Sequence, residues 1–156
     1  LITLWSSILA DAASRLRDAG LARPAREARL LLAHALKLEP ADAIAREGDA
    51  PSLDELASFD AALARRLARE PLSRIRGWRD FYGRRFRVTP DVLDPRPETE
   101  LLVEAALKAL PKEGRVLELG LGSGCVLLSI LAERADVSGA GVDLSPEAVR
   151  VARENA

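Results

Sequence analysis

The residues best suited to chemistry lie in one short glycine-rich run that follows a predicted strand. From residue 118 the chain reads Glu-Leu-Gly-Leu-Gly-Ser-Gly. Gly120, Gly122 and Gly124 let the backbone turn tightly and approach a ligand without interference from Cβ atoms. The helix that follows points its first N–H groups into the same crevice. The run therefore predicts a ligand-binding loop at the end of a strand.

Asp143 adds a carboxylate to this loop. It lies at the end of the second predicted strand, 19 residues after Gly124. Because parallel neighbouring strands end at the same edge of a sheet, we expect this carboxylate beside the loop, where it can accept hydrogen bonds from both hydroxyls of a ribose. The two features together predict a site for an adenosine-type ligand.

The spacing and charge of the run disfavour phosphate-bearing ligands. A dinucleotide fingerprint needs a glycine or alanine in the sixth place, and counting from Gly120 that place holds Cys125. The Gly-Lys-Ser/Thr of a P-loop is absent from the sequence. Glu118 would repel a pyrophosphate but attract a cation. S-adenosyl-L-methionine, which carries a sulfonium and an amino group and no phosphate, fits better than a nicotinamide or flavin cofactor.

The elements that position these residues follow a helical region. Residues 1–70 are predicted to be helical, with apolar side chains at four-residue steps in the first helix. Pro24 suits the first turn of a second helix, and a short helix is expected after Pro40. Ser52 and Glu55 form a capping box at the start of another. We expect a small bundle with its own narrow core.

The pattern changes near residue 78. Aromatic and β-branched residues from Trp78 to Val88 flank Tyr82-Gly83, which predicts a β-hairpin. A helix is expected from Pro97. From residue 116 the predicted order is strand, helix, strand, helix, which is the opening of a doubly wound α/β sheet.

The composition excludes several classes of protein. Among 156 residues, 23 Lys and Arg face 24 Asp and Glu, so a basic nucleic-acid binder is not indicated. Cys125 is the single cysteine, which excludes an internal disulfide and a multi-cysteine zinc site. His34 has no companion ligands, so no metal site is predicted. No apolar run reaches the roughly 18 residues of a membrane span, and we expect a cytoplasmic protein without a membrane partner.

A second motif lies upstream of the glycine loop. Residues 94–100 read Asp-Pro-Arg-Pro-Glu-Thr-Glu. The glycine run with Asp143 resembles the cofactor motifs of class I S-adenosylmethionine methyltransferases. The upstream motif narrows the resemblance to the HemK/PrmC family of protein-(glutamine-N5) methyltransferases, and it extends over essentially the whole chain.

The resemblance implies an α/β fold in three parts. Residues 1–72 would form a helical domain that docks the substrate, and residues 73–96 a β-hairpin and linker. Residues 97–156 would begin a Rossmann-like methyltransferase domain. The implied activity is S-adenosylmethionine-dependent methylation of the glutamine in the Gly-Gly-Gln motif of class 1 peptide-chain release factors, which would be the protein partner.

The resemblance also assigns roles residue by residue. The residues that would bind the cofactor are Glu118, Gly120, Leu121, Gly122, Ser123, Gly124 and Asp143. The residues that would border the cofactor and acceptor pocket are Arg96, Pro97, Glu98, Thr99 and Glu100. Leu121 departs from the family pattern, in which a small or polar residue is more usual.

The chain departs from the family in a larger way. The Asn-Pro-Pro-Tyr motif, which grips the acceptor amide in the family, is absent from these 156 residues, as are the later strands. We therefore expect an N-terminal fragment, name no catalytic residue in it and expect no methyl transfer by it alone. An open sheet edge and uncovered apolar surface would favour self-association.

Several alternatives stay open at the level of sequence. A methyltransferase that acts on a ribosomal-protein glutamine would share these motifs, and a non-catalytic module that binds a partner is another class. The hairpin is rich in arginine, which is either a solvated face or a contact for release factor or RNA. The arginines concerned are Arg76, Arg79, Arg84, Arg85 and Arg87.

Overall fold

A computed structural model of the chain describes residues 3–156. These residues divide into two compact units, the first ending at Arg76 and the second beginning at Gly77. The first unit is helical throughout, and the second contains both strands and helices. Within residues 3–156, no helix is both long enough and apolar enough to cross a membrane.

Between residue 3 and the end of the first unit, the structure has five helices. They are α1 (Trp5–Asp18), α2 (Pro24–Leu36), α3 (Pro40–Ala45), α4 (Leu53–Leu67) and α5 (Leu72–Arg76). Pro24 and Pro40 stand in the first turns of α2 and α3, where a missing N–H costs no helical hydrogen bond. The capping box at the start of α4 is present, because Ser52 and Glu55 each accept a hydrogen bond from the other's backbone N–H.

The core of this unit lies between α1, α2 and α4. Trp5, Leu31 and Phe59 are completely buried. The rings of Trp5 and Phe59 meet edge to face with their centroids 5.4 Å apart, a favoured arrangement for aromatic pairs. The predicted small bundle with its own core is therefore present, because the apolar face of each main helix is buried in a shared core.

The second unit combines a hairpin with a parallel strand pair. Strands β1 (Trp78–Phe81) and β2 (Arg84–Arg87) are antiparallel, and β3 (Arg115–Leu119) and β4 (Ser138–Val142) are parallel. A 3-10 turn over Pro97–Thr99 leads into α6 (Glu100–Ala109). Helix α7 (Cys125–Glu133) joins β3 to β4, and α8 (Pro146–Asn155) follows β4.

Glycine in β4 allows α7 to pack closely on the sheet. A Cβ atom at Gly139 would lie 2.6 Å from Cδ1 of Leu127, so any side chain there would displace that leucine. The helix side of the sheet also carries Val116, which packs in a cluster with Phe81, Val103 and Ile130. The hairpin, α6 and α7 thus share one apolar core.

The opposite face of the parallel pair is exposed. Leu117 and Leu119 in β3 are 64% and 74% exposed, and Val142 in β4 is 51% exposed. Alternation along the strands explains this, because residues two apart point to the same side of a sheet. The exposed apolar face agrees with the sequence-based expectation of uncovered surface, while self-association stays a prediction.

The predicted fold class is confirmed. The helices of the first unit, the hairpin and the β-α-β-α order all lie where the patterns place them, with ends shifted by one or two residues. Two details differ. The helix expected from Pro97 begins as a 3-10 turn, and α5 was not predicted because its five residues are too short for an apolar period.

The capping box provides a direct test of the helical unit. Replacing Ser52 with Ala removes the oxygen that accepts the Glu55 N–H, and we expect the free energy of unfolding to fall by about 1 kcal/mol. Thermal denaturation followed by circular dichroism measures the change. Ser7, an exposed serine inside α1, is the control, because Ser7→Ala should alter stability by less than about 0.5 kcal/mol. Equal effects at both serines would contradict the expectation.

Candidate functional site

The glycine loop, residues 120–124, crosses the carboxyl ends of β3 and β4. The backbone N–H groups of Gly120 and Leu121 both donate to the carbonyl oxygen of Val142, at 2.9 and 3.0 Å. Gly120, Gly122 and Gly124 all have positive φ angles, of 80°, 54° and 78°. Other residues adopt this backbone region only with strain, so the sequence needs glycine at these places.

Asp143 joins the loop to the start of α8. Its Oδ2 accepts the N–H of Gly122 at 2.8 Å, and its Oδ1 accepts the N–H of Ser145 at 2.9 Å. Hydrogen bonds from these two amides, that of Ser145 first, lower the pKa of the Asp143 carboxyl. The group is therefore a fixed carboxylate at neutral pH, and each oxygen keeps a lone pair that can accept from a ribose hydroxyl.

Glu118 lies at the other side of the loop and contacts the first turn of α7. Its Oε2 accepts the backbone N–H of Leu127 at 3.0 Å. The residue before the helix is Gly124, which has no side chain to cap the exposed N–H groups, so Glu118 supplies an acceptor from the strand. Burial raises the pKa of the Glu118 carboxyl, and the hydrogen bond from Leu127 opposes that shift.

The sequence predicts Glu118 near the positive charges of a cofactor, and that placement stays a prediction. The structure gives Glu118 a role that the sequence did not reveal, which is to cap the N-terminus of α7. A carboxylate that caps α7 also occupies the helix end where dinucleotide sites place a pyrophosphate. Two acidic side chains, Glu118 and Asp143, flank the loop. This donor set fits a cationic ligand that carries a ribose, such as S-adenosylmethionine, and it opposes an anionic one.

Leu121 and Ser123 complete the loop. The side chain of Leu121 packs over Gly141 in β4, where the absence of a Cβ atom makes room for it. This contact accounts for a leucine at a place where the family more often has a small or polar residue. Ser123 is 3% exposed, and its hydroxyl lies beside the thiol of Cys125. Burial raises the pKa of that thiol, which makes it a poor nucleophile.

The upstream motif is held against the hairpin. The backbone N–H of Tyr82, in the hairpin turn, donates to Oε1 of Glu100 at 2.8 Å. At the other end of the motif, Asp94 is 6% exposed and pairs with Arg79 of β1, with 2.5 Å between Oδ2 and Nη1. The sequence did not predict this ion pair, which compensates the cost of burying a charged aspartate.

The remaining residues of the motif point to solvent to different degrees. Arg96, Pro97 and Glu98 are exposed, and Thr99 is half-buried at the end of the 3-10 turn. They are accessible to a ligand or a partner protein, as residues that border a pocket must be. Their expected role at the cofactor and acceptor pocket stays a prediction.

The arginines of the hairpin strands have acidic or aromatic neighbours. Arg84 pairs with Glu133 at 2.7 Å, and Arg87 pairs with Glu154. The guanidinium of Arg85 lies 3.6 Å from the centre of the Trp78 ring. Exposed ion pairs are weak, so these arginines can still exchange partners, and their contact with release factor or RNA stays a prediction.

His34 lies outside this site. It is half-buried in α2, where burial and the nearby Arg65 and Arg76 lower its pKa. Among residues 3–156, no group of three or more His, Cys, Asp or Glu could hold a metal ion.

The contact between Leu121 and Gly141 gives a test of the loop's packing. A methyl group in Gly141→Ala would overlap the end of the Leu121 side chain, and we expect a loss of about 1–3 kcal/mol in stability. Adding Leu121→Ala should recover much of that loss, because it removes the overlap. Denaturation of the two single variants and the double variant measures the coupling.

Gly48→Ala is the matched control for this cycle. A Cβ atom at Gly48 meets nothing within 4 Å, so the change should be within about 0.5 kcal/mol of neutral. Simple additivity of the changes at 121 and 141 would show that the two residues do not compete for space.

Comparison with known proteins finds relatives over almost the whole chain. Residues 7–77 match the model of the PrmC N-terminal domain. A release factor glutamine methyltransferase of Cereibacter sphaeroides is 52% identical over 95% of this chain and 52% of its own length. Proteins of the same name from Rhodospirillum rubrum and Caulobacter vibrioides are 46% and 40% identical, over 96% and 100% of this chain and 46% and 53% of their own lengths.

The chain spans about half the length of these curated relatives. The matches include both compact units, and the name that the relatives share is that of a methyltransferase. On these grounds, and for the residues that it contains, the chain is similar to proteins named release factor glutamine methyltransferase, and its residues 7–77 match the PrmC N-terminal domain.

Proposed function

We propose that the full-length protein methylates the side-chain amide nitrogen of the glutamine in the Gly-Gly-Gln motif of class 1 release factors, with S-adenosylmethionine as the methyl donor. The names of the relatives support a release factor as the acceptor in preference to a ribosomal protein. The match to the PrmC N-terminal domain supports a docking role for the helical unit. The reaction would take place in the cytoplasm, where release factors act.

The observation that carries the proposal is the pair of carboxylates around the glycine loop. The carboxylate of Asp143 is held by the amides of Gly122 and Ser145, and each of its oxygens keeps a lone pair that can accept from a ribose hydroxyl. Glu118 places negative charge at the α7 end of the same loop. A sulfonium and an amino group suit this environment, and a phosphate does not.

The residues of this chain would bind and orient the donor. When bound, S-adenosylmethionine supplies an electrophilic methyl group. An amide nitrogen is a weak nucleophile because its lone pair is delocalised into the carbonyl, so orientation is the main contribution that the protein can make. We assign that orientation to the loop and Asp143, and we place the exposed Arg96, Pro97 and Glu98 at the border of the acceptor pocket.

Ligand binding and methyl transfer by the full-length protein test the proposal. Calorimetry should show S-adenosylmethionine binding and no binding of NAD. Labelled methyl groups should pass to a class 1 release factor, but not to a variant whose Gly-Gly-Gln glutamine is replaced by Ala and not to ribosomal proteins.

Replacing Asp143 tests the proposed ribose contact. Asp143→Asn should weaken donor binding by roughly tenfold, because it weakens one charge-assisted acceptor. Uptake of NAD without the methyl donor would refute the proposed function.

The pH dependence of donor binding tests the role of Glu118. Burial raises its pKa above the ordinary value of 4.5, so the charged fraction of Glu118 increases as pH rises through that displaced pKa. A cationic donor should therefore bind more tightly as pH rises through that pKa and reach a plateau above it. Asp143 contributes no such slope, because its pKa is lowered and it is charged throughout.

Glu118→Gln keeps an oxygen for the Leu127 N–H but removes the charge. We expect the variant to lose the pH slope and to bind the donor on the order of tenfold more weakly at neutral pH. Glu104, an exposed acid on α6, provides the matched control, and Glu104→Gln should keep both the slope and the affinity. A slope that survives in Glu118→Gln would assign it to another group.

A further inference from the structure

We propose that Asn155 is a positioning residue that holds the glycine loop against the β-hairpin. Its side-chain amide donates from Nδ2 to the carbonyl oxygen of Ser123 at 2.9 Å. The same side chain bonds to both backbone polar groups of Arg87 in β2. One amide therefore joins three elements: the loop, the hairpin and the end of α8.

The contact with Arg87 is the kind that a neighbouring strand would make. The backbone N–H of Arg87 donates to Oδ1 of Asn155 at 2.7 Å, and Nδ2 donates to the Arg87 carbonyl oxygen at 3.2 Å. The pair satisfies a backbone donor and a backbone acceptor at the end of a short strand, groups that otherwise need water or another partner. The hairpin is thus fixed at a defined distance from α8.

The contact with Ser123 acts on the backbone of the loop itself. Ser123 is buried, and its neighbour Gly124 has a positive φ and lies against α8, where a Cβ atom would be 3.1 Å from Cβ of Ala152. Ala152 and Asn155 are three residues apart and lie on the same face of the helix. Ala152 packs against the loop backbone and Asn155 donates a hydrogen bond to it. Helix α8 therefore constrains the position of the loop in two ways.

The hairpin also carries the upstream motif. Glu100 accepts from Tyr82 in the turn, and Asp94 pairs with Arg79 in β1. Asn155 therefore completes a continuous series of polar contacts from the donor loop, through the hairpin, to the residues proposed to border the acceptor pocket. Only an amide suits this place, because the two carbonyl oxygens need a donor and the Arg87 N–H needs an acceptor.

Hydrogen exchange in the full-length protein tests the positioning directly. In Asn155→Ala we expect the amides of residues 120–126 to exchange roughly tenfold faster than in the wild type, because a bond that holds the loop is lost. Peptides from α1, α2 and α4 should be unchanged. Asn155→Asp should behave like Asn155→Ala in the loop, since a carboxylate cannot donate to the Ser123 carbonyl.

Glu154→Gln is the matched control. Glu154 is the neighbour of Asn155 and pairs with Arg87 and Arg150 on the surface. Its replacement should leave exchange in the loop at the wild-type rate. Unchanged loop exchange in Asn155→Ala, or the same acceleration in Glu154→Gln, would overturn the inference.

The consequence for the reaction rests on the proposed function and has a separate readout. In Asn155→Ala the KM for S-adenosylmethionine should rise by roughly tenfold with a smaller change in kcat, whereas simple loss of folded protein would lower kcat alone. If the wild type fails to bind S-adenosylmethionine, the proposed function is wrong, and hydrogen exchange still decides the role of Asn155. Faster exchange with an unchanged donor KM would refute the link between positioning and donor binding.

Discussion

The conformation of the glycine loop has to be imposed from outside the loop, and this constraint governs much of the second unit. Three positive-φ glycines in five residues give a chain that is free to move, and fixing such a chain is costly in entropy. Most of the hydrogen bonds that oppose this cost come from neighbouring elements, in addition to the bond within the loop from the Gly124 N–H to the Leu121 carbonyl oxygen. Val142 holds the first two amides, Asp143 holds Gly122, and the Ser123 carbonyl is held by Asn155. Helix α8 thus both follows the site in sequence and supports it in space.

The two acidic residues at the loop have opposite electrostatic environments. Amide donors stabilise the charge on Asp143 and lower its pKa, whereas burial destabilises the charge on Glu118 and raises its pKa. Carboxyl groups with pKa values displaced in opposite directions are typical of functional sites. In the proposed function, Asp143 would be the acceptor that is always charged, and Glu118 would gain most from a nearby cation.

The sequence predicted the parts of the molecule that depend on local pattern. Apolar periods, the capping box at Ser52 and the glycine spacing are all short-range signals, and each gave the correct element. Long-range pairings gave no such signal. The cap that Glu118 provides for α7, the fit of Leu121 over Gly141 and the ion pair of Arg79 with Asp94 join residues that are 9 to 20 positions apart. Their geometry depends on how helices and strands cross, which spacing alone cannot specify.

The separation of the chain into a helical unit and a strand-containing unit has a consequence for synthesis. Helix–helix contacts in the first unit join segments that are close in sequence, and such local topologies fold fast. The parallel pairing of β3 with β4 must wait for the whole intervening crossover through α7. Since chains emerge from the ribosome starting at the N-terminus, we expect the bundle to be complete before the donor loop has taken shape. A nascent chain would then carry a folded helical bundle while the two carboxylates beside the loop are still apart.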